Sequence, residues 1–263
     1  MKSPALKLGL ALLALFVIPL VHADEAQKKG LAIATEADKR NQGFTDSTAD
    51  LIMELYNKAG EVSKRELRIK TLEVADDGDK SLTIFDTPKD VQGTAFLTFS
   101  HKVGDDDQWL YLPKLKRVKR ISSSNKSGPF MGSEFSYEDL SSQELEKFTY
   151  RHLRDEVAES LDCYVIERTP TYKKSGYKRQ VVWLDKEEYR VIKTEFYNRR
   201  DQLAKTLKAS GFKKHLDQYW RPETMEMVNH LTGKKTVLTW SNYQFKTGLK
   251  DSDFNKNSLK RAR

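Results

Sequence analysis

The chain has 263 residues, 46 Lys and Arg against 38 Asp and Glu, and a formal net charge of +8. Its single cysteine, Cys163, excludes an intramolecular disulfide, but a chain of this length buries a large core without staples. No apolar run reaches the ~20 residues of a membrane-spanning helix.

Residues 1–23 read as a secretory signal: Lys2 and Lys7 come first, residues 8–21 are apolar, and Val21-His22-Ala23 offers a cleavage site. An uncleaved anchor is the alternative, disfavoured by the short apolar run. Cleavage removes Lys2 and Lys7, leaving +6 on residues 24–263. A basic surface suits nucleic acid, anionic lipid, an acidic partner or simple solubility, and export to a bacterial periplasm argues against nucleic acid. A lone Cys in an exported protein is ordinarily a small buried residue; a reactive thiol is the lesser alternative. Residues 24–263 show no long linker, composition break or internal repeat, so one domain is expected.

Residues 24–41 are rich in Ala, Lys and Glu and predict one amphipathic helix despite Gly30. Helical periodicity then nearly vanishes. Leu51, Met53 and Leu55 alternate as in a half-buried strand, residues 58–61 suit a hairpin turn, and residues 62–74 form the next strand. There Leu67 and Ile69 share one parity and Leu72 and Val74 the other, which predicts a bulge near Lys70. Further strands are expected at 82–85, 94–100, 108–112 and 115–121, with turns at 76–79 and 104–107. After a Ser/Gly/Pro loop, residues 131–148 are the one mid-chain region suited to helical turns. Strands resume at 150–159, 163–168, 180–184, 189–198, 203–208, 215–228 and 236–245. The result is a mainly β (α+β) fold: a long antiparallel meander of about 10–11 strands with an N-terminal helix and a mid-chain helical plug. A sheet of that size twists and curls, which predicts a strongly curved, incomplete barrel.

Catalytic signatures are missing. The sequence has no His-Glu-x-x-His, no Gly-x-Ser-x-Gly, no phosphate loop and no paired cysteines for zinc. Asp105-Asp106-Asp107 lacks the spaced ligands of a Ca²⁺ loop and reads as a solvated turn. No metal and no cofactor are expected. Three features stand out instead. Trp109, Tyr111, Phe130, Phe135 and Tyr137 belong to an aromatic set that either fills an ordinary core or lines an apolar cavity within a curled sheet. Lys114, Lys116, Arg117, Lys119 and Arg120 place cations on both faces of one strand, as either a solvated edge or a docking strip for headgroups or an acidic partner. In Gly128-Pro129-Phe130-Met131-Gly132-Ser133 two glycines flank two large apolar side chains: a movable plug, or a loop whose Phe tucks into the core.

Residues 109–113 (Trp-Leu-Tyr-Leu-Pro), 117–121 (Arg-Val-Lys-Arg-Ile) and 130–139 (Phe-Met-Gly-Ser-Glu-Phe-Ser-Tyr-Glu-Asp) resemble the outer-membrane lipoprotein-sorting protein family. This is the LolA/LolB-like superfamily, in its branch associated with exporters of the resistance-nodulation-division (RND) type. The resemblance implies an incomplete antiparallel barrel plugged by helices, no enzymatic activity, and a periplasmic carrier that binds the acyl chains of a lipid or lipoprotein. It also implies transfer between membrane partners, an RND-type exporter among them. The lipid-attached Cys of anchored members is missing, so the chain is similar to the soluble carriers. On this reading Trp109, Tyr111, Phe130, Met131, Phe135 and Tyr137 are candidates for cavity or lid. Lys116, Arg117, Lys119 and Arg120 are candidates for headgroup or partner contact. The alternatives are an accessory module that docks on an exporter without cargo, and a hydrolase, which would need a carboxylate or His cluster in the cavity.

Overall fold

The computed structural model describes residues 20–261, with side chains over residues 24–260. The expected signal segment, residues 1–23, lies outside the described residues, except that the backbone of its last four opens the first helix. This helix, α1, spans Leu20–Asn41. Ion pairs at i,i+4 spacing, Lys28 with Asp24 and Arg40 with Glu36, brace its exposed side. Gly30 in its middle is explained by contact: a Cβ there would lie 2.7 Å from backbone atoms of Arg151 and His152. The helix backbone rests directly on a strand, which offsets the ~1 kcal/mol helix penalty of glycine.

A first meander follows: β1 (Asp46–Tyr56), β2 (Val62–Leu72), β3 (Lys80–Thr87), β4 (Ala95–Phe99), β5 (Asp107–Leu112) and β6 (Arg117–Ile121). Residues 122–147 then cross the molecule without entering the sheet. A second run comprises β7 (Phe148–Ala158), β8 (Leu161–Pro170), β9 (Tyr177–Asp185), β10 (Val191–Asn198) and β11 (Leu203–Ser210). A small ribbon of β12 (Lys213–His215) and β13 (Tyr219–Arg221) precedes β14 (Thr224–Asn229) and β15 (Lys235–Phe245), and α2 (Lys256–Arg261) ends the described chain.

Thirteen strands form one antiparallel sheet in the order β6-β5-β4-β3-β2-β1-β15-β14-β11-β10-β9-β8-β7. First strand pairs with last, welding the two meanders at the centre. The sheet does not close, because the edges β6 and β7 do not pair. Register shifts interrupt the β1–β15, β2–β3, β7–β8, β9–β10 and β10–β11 ladders, and each such irregularity bends its strand.

Four expectations need correction. The strand count is 13 in the sheet plus two in the ribbon, not 10–11. The segment read as one strand over 215–228 is the end of β12, then β13 and β14, and three-residue strands are too short for alternation to show. The β1–β2 ladder runs unbroken through Lys70, so no bulge sits there. The change of parity arises because both faces of β2 are covered: Leu67 and Ile69 face one core, Leu72 another. The mid-chain plug holds no α-helix. It is built from short 3₁₀ turns at Ser123–Asn125, Phe130–Gly132, Tyr137–Leu140 and Leu145–Lys147, where Gly128, Pro129 and Gly132 break longer helical runs.

The sheet has two apolar faces. On the inner face Leu51, Met53, Leu67, Phe85, Phe96 and Leu110 pack against the plug, while Ile33 and Ala34 of α1 pack on Tyr150, Ile166, Val182 and Leu184. On the opposite face Leu82, Ile84, Leu97 and Trp109 are covered by Phe254 and Leu259 of the C-terminal segment. Cys163 is fully buried with Val165, Val181 and Trp183, and burial pushes its thiol up from the ordinary range.

Candidate functional site

The plug and α1 cover the inner face from two sides and leave space between them. A cavity of about 1300 Å³ remains there. Ala34 and Ala37 of α1 form one wall, where larger side chains would close it. Ala49, Ile69, Ile166, Val182, Leu184, Met225 and Trp240 from the strands form the other walls. Exposed lining residues mark where it meets solvent: Asn41 and Gln42 after α1, and Lys214 and Gln218 on the β12–β13 ribbon.

Charged groups ring this apolar floor. Burial pushes the Glu144 carboxyl up to about 7, and the charges of Asp79 and Asp38 add to the effect. Burial likewise lifts Asp79 to about 6, helped by Glu73 and Asp38. Facing them are two desolvated arginines. Arg168 donates from Nε to Gln180 Oε1 at 2.6 Å and lies 4.8 Å from the centre of the Phe148 ring. Arg221 donates to Asn41 Oδ1 at 2.6 Å and sits among Phe44, Tyr219 and Phe245. Burial lowers the pKa of both. The buried indole N–H of Trp220, another lining residue, has no acceptor among the described residues.

In the folded protein Glu144 and Asp79 keep their protons at pH values where the unfolded chain, near 4.5 and 3.8, has lost them. Their ionisation therefore lowers stability as pH rises through about 6 and 7, and acidification restores it. Neutral carboxyls also make the cavity less polar. Binding of a neutral solvatochromic dye should tighten as pH falls through about 7 and then about 6. Glu144→Gln should remove the upper step and leave the lower; an unchanged two-step profile would disprove the assignment.

None of the six aromatic and Met candidates lines this cavity. Phe130 and Phe135 are buried in the inner core, and Met131 and Tyr137 pack on its margin. Phe130 stacks within 5.1 Å of Phe96, 5.9 Å of Phe85 and 5.5 Å of Tyr137, ring centre to ring centre. Of the two readings of this loop, the tucked Phe is the one observed. Trp109 and Tyr111 project to the opposite face, against Phe99 and the C-terminal segment; their strand neighbours Leu110 and Leu112 take the inner positions. Residues 109–112 are all bulky and mainly apolar, so alternation could not tell inner face from outer.

The plug is pinned at several points. Arg65 donates to the Met131 carbonyl at 2.7 Å, Lys205 to that of Glu134 at 2.6 Å, and Gln108 to that of Tyr137 at 2.8 Å. Glu138 accepts from the Gly176 N–H and the Ser175 hydroxyl, both at 2.8 Å. Asp106, expected in a solvated turn, is buried and binds Lys147, with Lys126 3.8 Å away. These lysines come from opposite ends of the crossing segment. Among the described residues no cluster of His, Cys, Asp or Glu is placed to hold a metal ion.

The basic strand β6 is an edge strand. Lys116, Arg117, Lys119 and Arg120 are exposed, and Arg120 pairs with Asp107. Lys119 lines a second, smaller cavity of about 370 Å³ with Ile121, Ser124, Asn125 and Tyr137. The residues that sequence reasoning missed are Asp38, Asp79, Glu144, Arg168 and Arg221. Their one legible signal was the Ala34/Ala37 pair, too small for a fully packed helix face.

An open antiparallel sheet, plugged on one side and hollow beneath a helix, defines the class. A family model described only as uncharacterized protein-like matches residues 77–261. An outer membrane lipoprotein-sorting protein domain from Vibrio parahaemolyticus is 60% identical, over 89% of this chain and 100% of that one, with a TM-score of 0.88. A DUF1329 family protein from Desulfovibrio piger is 32% identical over 89% and 99%, with a TM-score of 0.85. A LolA superfamily protein from Nitrosomonas europaea is 21% identical over 87% and 98%, with a TM-score of 0.70, a likeness of fold. No curated protein matches. The chain belongs to the outer-membrane lipoprotein-sorting protein family.

Proposed function

We propose that this protein is a periplasmic, non-enzymatic carrier that holds the acyl chains of a lipid or lipoprotein in the cavity beneath α1. It passes this cargo between membrane partners, an RND-type exporter among them. Residues 24–263 act as one carrier domain once the signal is removed, wrapped as a curved, incomplete barrel. The observation that carries this reading is the unfilled volume of about 1300 Å³, above the ~300–1,000 Å³ of pockets for drug-sized ligands. Its apolar floor favours acyl chains, each buried methylene contributing about 0.8 kcal/mol. Its charged rim, with the unpaired Trp220 indole N–H, offers partners to a polar headgroup. Membership in a family with a lipoprotein-sorting relative supports the same cargo class.

Native mass spectrometry of gently purified protein should show co-purifying lipid, and a fluorescent fatty acid should be taken up. Ala37→Trp combined with Thr71→Trp fills the cavity from the helix and from β2. Uptake should fall at least about tenfold, equivalent to ~1.4 kcal/mol, while the circular dichroism stays unchanged. Protein that binds neither lipid nor probe, or a filled variant that binds as well as the parent, would sink the carrier reading.

A further inference from the structure

The meander sorts its turns onto two ends of the sheet. Six turns share the end away from the cavity mouth: residues 57–61, 88–94, 113–116, 171–176, 199–202 and 230–234. Each carries an exposed cation, namely Lys58, Lys89, Lys114, Lys174, Arg200 and Lys234. The acids on these turns are Glu61, Asp90 and Asp201, and Asp201 is already bridged by Lys178 and Arg179. Two turn tips also project an apolar side chain among the cations: Leu115 is 68% exposed and Leu231 60%. The opposite end holds the cavity mouth and the acid-rich turn of Glu73, Asp76, Asp77 and Asp79. The molecule is therefore electrically polarised along its strands.

We infer that the basic end is a docking face for an anionic lipid surface, on which the protein stands with its cavity mouth turned away from the bilayer. Diffuse, exposed lysines suit a headgroup layer, to which each adds attraction, whereas lysine is depleted from protein–protein interfaces. These turns expose no Phe, Tyr or Trp that could anchor a protein partner. Leu115 and Leu231 are placed to dip into the interface while the flanking cations stay at headgroup level. In this orientation, cargo enters and leaves on the side facing away from the lipid, towards a projecting partner domain. The docking face is separate from the cavity, so its failure would leave the carrier reading standing, and the reverse.

Vesicles of phosphatidylglycerol mixed into phosphatidylcholine should co-sediment the purified protein at low salt and release it at high salt, and vesicles of phosphatidylcholine alone should not bind it. Replacing Lys114, Lys174 and Lys234 with Ala should weaken binding about a hundredfold, at roughly fivefold per cation. Lys102→Ala with Lys213→Ala, at the other end, should leave it unchanged. A polarity-sensitive dye on Leu115→Cys should shift to the blue on anionic vesicles, and one on Lys214→Cys should not. Equal binding to both vesicle types, equal loss from either end, or a shift only at the mouth would overturn the proposal. Capture of an acidic protein without any vesicle binding would overturn it as well.

Discussion

Asp106→Asn should lower stability by about 3–5 kcal/mol, because it leaves two buried ammonium groups without their counter-charge. Asp106, Lys126 and Lys147 are 9%, 7% and 8% exposed. Asparagine can still accept the His101 N–H, which lies 3.1 Å from Asp106 Oδ1, so the loss isolates the charge. Burial already pulls the pKa of Lys126 down, and the Asp106 charge opposes that. The melting midpoint should fall by about 10 °C, at ~2–4 °C per kcal/mol for a domain of this size. Asp106→Asn with Lys126→Met and Lys147→Met should recover most of the loss, since apolar replacement of a buried ion cluster is often neutral. If the triple variant is no more stable than the single, the charge hub is not what pins the plug. Because the two lysines bracket the crossing segment, the plug should also loosen first: amide exchange across residues 126–147 should accelerate more than exchange in β8 or β9.

Phe130→Ala should have a comparable effect, about 3–5 kcal/mol for a fully buried aromatic. Phe130 is 1% exposed and packs against Phe85, Phe96 and Tyr137. The surrounding strands cannot collapse into the space, because their own ladders hold them. The void should bind a small apolar probe, xenon or benzene, at a place distinct from the cavity beneath α1. This separates two roles for the loop. If the plug is a fixed core element, the variant loses stability but keeps its uptake of a fluorescent fatty acid. If the plug is a lid, uptake changes in step with stability, and a crystallographic probe in the void should appear continuous with cargo density.

Sequence reasoning read the secondary structure well where one physical rule acted alone. The helix before Asn41, the turn at residues 58–61 and the strand alternation from Leu51 to Leu55 all follow from local periodicity and turn chemistry. The family resemblance rests on residues 109–139, which hold the edge strand and the plug. Those residues build the edge and the stopper of the open side and none of them lines the cavity, which is why the proposed contact residues fell beside it instead of in it. Asp106 misled for a related reason: three adjacent aspartates look solvated until two lysines from a distant segment fold onto the middle one.

The amino-acid order by itself determined a β meander after one helix, a strand with cations on both faces, a Ser/Gly/Pro loop unsuited to the sheet, and a cysteine with no intramolecular disulfide partner. Only tertiary structure decided which apolar face turned inward, because strands covered on both sides, such as β4 and β9, bury residues of both parities and the period of two loses its meaning. Tertiary structure alone also decided where the hollow lies. An empty space has no residues of its own: it exists because Ala34 and Ala37 on α1 face strands more than a hundred positions away, and short-range pattern holds no record of what fails to meet.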